Sequence, residues 1–197
     1  MLKASQIRAA RALLGWSVKT LADRAHLSAE TLRHMENYES MRSPLGVSIE
    51  AVEAAIQAAG IEVLPPGVPF FGSGPGVRLR DPENDRGPSR ALYSLQPEQI
   101  RAARALLRWT ARDLAAQAGV SVGMISRIEG RATLPTTKGR SLAVQHALEE
   151  AGIEFIQAGV PLAPGGPGVR LRTGVSVFRD HGYGKSIAPE HAPFAAE

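Results

Sequence analysis

A chain of 197 residues with 23 Lys and Arg against 19 Asp and Glu carries a formal charge of +4 and an isoelectric point near 9.8, a mild basic excess that favours polyanionic partners. It contains no cysteine, which excludes a disulfide framework and a thiolate metal site together. The N-terminal stretch lacks the apolar core of a signal peptide and no run approaches the roughly eighteen apolar residues of a membrane span, so a cytoplasmic protein without membrane contact is expected.

The chain repeats itself. "QIRAARALLGW" at 6–16 returns as "QIRAARALLRW" at 99–109, and "GPGVRLR" stands at both 74–80 and 166–172. Trp16 and Trp109 are 93 positions apart but Arg78 and Arg170 only 92, so one residue is lost between them, in the loop where "YESMRSPLGVS" faces "RATLPTTKGRS". Self-similarity at a fixed period decides the architecture. Two units are expected, 1–80 and 95–172, joined by a linker at 81–94 and followed by a tail at 173–197.

The second copy shows the elements most clearly. Pro97 suits a first helical turn, and Ile100, Ala103, Arg104 and Leu107 follow at helical spacing, predicting a helix over about 97–108. Thr110 with Asp113 three residues on is a capping box for a helix over about 111–118. Gly119 stops it, and Ser121 can cap a third helix over about 122–130. Leu114, Ala115, Ala118, Val120, Ile125 and Ile128 form the apolar set, with small Ala115 at the crossing; two short helices joined by a three-residue turn in this way are a helix-turn-helix pattern. A fourth helix fits 141–152, and "IEFI" (153–156) and "GVRLR" (168–172) alternate as short strands.

The string "PEQIRAARALLRWTARDLAAQAGVSVGMISRIEGR…AVQHALEEAGIEFI…GGPGVRLR" resembles the small Cro/repressor-type (XRE) transcriptional regulators of bacteria, closely over 95–172 and more loosely over 4–80. The resemblance implies a mainly α chain of two tandem λ-repressor-like helix-turn-helix domains, each followed by a short two-strand β element, with double-stranded DNA as the partner. The family often has a glutamine at the start of the second helix that holds the DNA backbone; Val18 and Ala111 stand there in this chain.

A recognition helix in the major groove offers its N-terminal and outward side chains to base edges, while neighbouring hydroxyls and cations hold phosphates. In the second copy the outward set is Ser121, Val122, Gly123, Ser126, Arg127 and Arg131. Arg127 is the candidate for guanine, whose two acceptors a guanidinium can bridge; a phosphate contact or a solvated arginine is the alternative. Val122 suits a thymine methyl, Gly123 permits close approach, Ser121 and Ser126 suit phosphate or base, and Arg112 and Arg131 read as phosphate anchors.

The first copy diverges on the same face. Its set is Lys19, Ser28, Ala29, Glu30, Arg33, His34 and Asn37. His26 replaces the turn glycine, Glu30 faces Gly123 in the alignment, and Asn37-Tyr38 replaces Gly130-Arg131. A carboxylate facing phosphates is unfavourable unless it accepts from a cytosine amino group. Residues 94–172 hold ten Lys and Arg against six acids and residues 1–80 nine against seven, so the second copy is the more basic. The first copy is read as a reader of a different half-site or as a surface for a regulatory protein partner.

Trp16 and Trp109 follow the first helix in each copy and are expected in the core. The histidines at 26, 34, 146, 181 and 191 have no second ligand set nearby, and neither a nucleophile motif nor a phosphate loop is present. No enzyme, cofactor or metal is expected. The function expected is that of a sequence-specific DNA-binding regulator whose two recognition helices take adjacent half-sites; an antiactivator or antitoxin-like interaction module and a DNA-bending factor of a mobile element are the alternatives. A fourteen-residue linker reaches roughly 45 Å, enough for one turn of DNA. The GVRLR strands offer open edges and are expected to pair with each other, within one chain or across a homodimer. The tail carries one strand-like stretch at 175–178 and then drifts into a composition typical of disorder.

Overall fold

The computed structural model describes residues 2–37, 46–67, 73–80, 95–130, 138–157 and 165–172. The linker 81–94, the tail with its stretch at 175–178, and Arg131 lie outside the described residues. The first copy supplies α1 (Ala4–Leu13), α2 (Val18–Arg24), α3 (Ala29–Asn37), α4 (Gly46–Ala58), β1 (Ile61–Leu64) and β2 (Ser73–Leu79). The second supplies α5 (Pro97–Leu106), α6 (Ala111–Gln117), α7 (Val122–Glu129), α8 (Lys138–Glu150), β3 (Ile153–Ile156) and β4 (Gly168–Arg172). Helix ends fall within three residues of the expected ones, and the two second-copy strands coincide with them. Among the described residues the chain is mainly helical with one four-stranded antiparallel sheet.

Local chemistry accounts for the boundaries. The Thr110 hydroxyl accepts from the Asp113 N–H at 3.2 Å while the Asp113 carboxylate accepts from the Thr110 N–H at 2.8 Å, closing the box that starts α6. Ser121 caps α7 by accepting from the Met124 N–H at 3.2 Å, as Ser28 does for α3 from the Thr31 N–H at 3.0 Å. The turn before α7 needs a left-handed residue, which Gly119 supplies at φ 63°; in the first copy His26 takes the same conformation at φ 55°. α4 and α8 are offset by 92 positions but α3 and α7 by 93, so the lost residue falls between α3 and α4.

The strand order is β1-β2-β4-β3, with every neighbouring pair antiparallel. The two GVRLR strands are therefore central and pair with each other inside one chain, the first of the two expected alternatives. Their register puts Val77 opposite Val169, Gly76 opposite Arg170 and Arg78 opposite Gly168. A Cβ on Gly76 would lie 2.4 Å from the Arg170 Cβ, and one on Gly168 2.4 Å from the Arg78 Cβ. Each glycine makes room for the arginine of the other copy, and this is why the string occurs twice: in a self-matched interface both halves must carry the same residues.

A buried glutamine ties helix to strands in each copy. Gln6 Nε2 donates to the Leu64 and Gly76 carbonyls at 2.9 and 3.0 Å, and Gln99 Nε2 to those of Ile156 and Gly168, both at 2.9 Å. Val77 and Val169 belong, with Leu21, Leu32, Ile56, Ile100, Leu114, Ile125 and Leu148, to one continuous core to which both copies contribute. α1 and α5 pack directly on each other. The shared sheet realises the within-chain pairing expected of the GVRLR strands, whereas the core common to both copies goes beyond the reading of two units joined by a linker. The physical reason for the shared sheet is the edge: a two-stranded ribbon leaves a row of unpaired backbone groups, and pairing β2 with β4 satisfies both rows at once. Among the described residues, no helix is long and apolar enough to cross a membrane.

Candidate nucleic-acid interface

α6 and α7 are short helices joined by residues 118–121, and Leu114, Ala115, Ile125 and Ile128 bury their inner sides. What remains outside on α7 is Ser121, Val122, Gly123, Ser126 and Arg127, all exposed. Gly123, Ser126 and Arg127 stand at i, i+3 and i+4 and so share one stripe of the helix. Val122 is 42% exposed, one of only two exposed large hydrophobic side chains among the described residues. A Cβ on Gly123 would meet nothing within 4 Å, so the fold itself does not require glycine there. Arg112, at the start of α6, is exposed, and the residue one turn on is Ala116 rather than an acid.

The first copy presents a different surface. Ser28, Glu30, Arg33, His34 and Asn37 are exposed on α3, whereas Ala29 is half-buried and packs on the core. Lys19 is exposed but pairs with Asp23 one turn on, at 2.7 Å. Asn37 is engaged by the other copy: Arg108 donates to its side-chain oxygen at 3.2 Å and to its carbonyl at 3.4 Å. Arg108 holds a left-handed φ of 56°, at the position where the first copy has Gly15 at φ 66°. Trp16 and Trp109 pack partly buried against the core, and the Arg24 guanidinium lies 4.4 Å from the Trp16 ring centre.

Behind both exposed faces stands a clamp that sequence reasoning missed. Arg104 on α5 grips Glu129 at the end of α7 through two bonds of 2.8 and 3.0 Å and donates to the Trp109 carbonyl at 3.0 Å. Arg11 on α1 does the same to Glu36 at the end of α3, at 2.7 and 3.1 Å, and reaches the Trp16 carbonyl at 3.1 Å. A two-pronged guanidinium–carboxylate contact fixes orientation as well as distance. The signal was present in both copies as an arginine followed 25 residues later by a glutamate, but nothing local distinguishes that pair from solvated charge.

A second pair of arginines joins the copies. Arg8 donates to the Glu36 carbonyl and, at 3.2 Å, to the Ala105 carbonyl of the other copy. Arg101 repeats this with the Glu129 carbonyl and, at 3.5 Å, the Ala12 carbonyl. The contacts are reciprocal, as in a two-fold interface. The C-terminal ends of α3 and α7 are thus tied to the seam where α1 meets α5. A scan against protein-family models and searches of the curated proteins and of the solved structures find no match to this chain.

Proposed function

We propose that the chain is a sequence-specific DNA-binding transcriptional regulator without catalytic activity, acting in the cytoplasm. In this reading it is built as two tandem λ-repressor-like helix-turn-helix units whose recognition helices are α3 and α7. The observation that carries the reading is the outer face of α7: an exposed Val122, a Gly123 in open space, and Ser126 and Arg127 beside them. A glycine early in a helix costs up to about 1 kcal/mol relative to alanine, and close approach of a bulky external surface such as a duplex accounts for it. Arg127 then reads guanine and Arg112 holds phosphate.

Three features favour a second reading for the first copy, a protein partner. Lys19 pairs with Asp23, Asn37 is engaged by Arg108, and Glu30 stands exposed on α3. Selection of bound fragments from fragmented genomic DNA at physiological salt, run with wild type and Arg127→Ala, tests both. A shared motif that loses preference at one position, with binding weaker by about 1–3 kcal/mol in the variant, is the expected result for base contact. Uniform weakening across sequences assigns Arg127 to phosphate instead. Recovery of no sequence above background overturns the DNA reading and leaves the protein partner.

A further inference from the structure

We infer that one chain reads one asymmetric duplex element in a single orientation, with the distance between half-sites fixed by the seam between the copies rather than by the length of the linker 81–94. The inference rests on the DNA-binding reading above.

Two domains on a flexible tether adapt to many spacings, and their joint affinity falls roughly as the −3/2 power of tether length. Among the described residues, the elements that hold these copies together are the strands and the helix seam. β2 and β4 form one ladder with Val77 on Val169, and the Gly76/Arg170 and Gly168/Arg78 pairs leave no room for a change of register. Arg8 and Arg101 cross the seam in both directions. The α3 end is bound to it through Arg8, Arg11 and Arg108, and the α7 end through Arg101 and Arg104. A shift of one helix relative to the other would break several of these bonds together.

DNA is unforgiving toward such a reader. One extra base pair turns the second half-site by about 34° around the duplex axis, and a fixed pair of helices does not follow. The two readers are also chemically unlike: Glu30, Arg33 and His34 on α3 stand where α7 has Gly123, Ser126 and Arg127. A near two-fold frame carrying two different faces has only one correct way round on its target.

The test uses the full chain and the motif recovered from genomic selection, placed in synthetic duplexes with the half-sites moved by −1, +1 and +10 base pairs or with one half-site inverted. A second protein carries 42 additional Gly and Ser residues between Ser89 and Arg90. Expected are the same best spacing for both proteins, affinities within about twofold of each other at that spacing, and losses of more than about tenfold for every altered duplex. A tether would instead cost the extended chain about eightfold or let it accept the +10 duplex; either result overturns the inference while leaving the DNA reading standing. So does a wild type that tolerates ±1 base pair or an inverted half-site, a result that does not depend on the extended chain. Failure to recover any motif removes the DNA reading and this inference with it.

Discussion

The seam between the copies and the faces turned away from it have diverged to different degrees. At the seam the two copies carry the same seven residues, at 74–80 and 166–172; on the outer helices "SAETLRHMEN" at 28–37 stands against "SVGMISRIEG" at 121–130. In the outer pair the residues that agree in role are the capping serines, the inward residues and the clamp: Ser28 with Ser121, Leu32 with Ile125, Met35 with Ile128, and Glu36 with Glu129. Self-pairing constrains both halves of an interface at once, because each residue faces the other copy's version of its neighbour. The outward faces are not matched copy to copy in this way, though Arg108 of the second copy reaches Asn37 of the first. Each copy was free to acquire its own chemistry there so long as the parts that orient the helix stayed the same.

The comparison can be broken most severely at the clamp. Arg104→Ala leaves the Glu129 carboxylate, which is largely buried, without its two-pronged partner. A loss of about 3 kcal/mol in unfolding free energy is expected, read as a lower urea midpoint. Arg11→Ala should cost a similar amount through Glu36, since the two contacts have the same geometry. A large inequality between these variants would mean that the copies do not share the clamp as an equivalent part.

Glycines sharpen the contrast between seam and face. Gly168→Ala forces a methyl onto Arg78 and the Val77 carbonyl and should destabilise by about 2 kcal/mol through overpacking. Gly123→Ala meets open space and should raise stability by about 0.5–1 kcal/mol. If Gly123 serves close approach to DNA, that more stable variant binds its motif more weakly. Equal thermal midpoints for the two variants would erase the distinction.

An effect of similar size concerns the turn before each outer helix. His26 and Gly119 occupy equivalent left-handed positions, and a side chain there costs about 1 kcal/mol. His26→Gly should therefore stabilise and Gly119→His destabilise by about that amount, with opposite shifts in midpoint. Shifts of the same sign would show that His26 makes a compensating contact.

Local patterns exposed most of the elements and little of what joins them. Thr110, Asp113, Gly119 and Ser121 act within a few residues of themselves, so their roles as caps and turn were legible in the string. Arg8 and Arg101 sit on amphipathic helices where charge ordinarily faces water, and their partners Ala105 and Ala12 are 97 and 89 residues away. Gln6 and Gln99 look like surface amides in helices, yet they satisfy strand carbonyls 57 to 70 residues distant. The outward set on α7 was readable because helical spacing separates inside from outside. Ala29 was misplaced because the α3 N-terminus packs closer to the core than spacing alone suggests. The engagement of Asn37 by Arg108 was hidden because it arises only once the copies meet.

The central place of β2 has a consequence for the order in which the protein is made. Its partner β4 begins at Gly168, 89 residues after β2 ends at Leu79. At about 5–20 residues per second, the ribosome takes roughly 4–18 s to deliver it. During that interval the first copy carries a bare strand edge bearing Val77, a template for other nascent chains. A chain cut short within the second copy keeps that edge for good, so premature termination is expected to yield sticky fragments rather than a half-sized working unit. Concentration-dependent aggregation of fragments ending before residue 165, against a well-behaved full chain, is the corresponding observation in a translation extract.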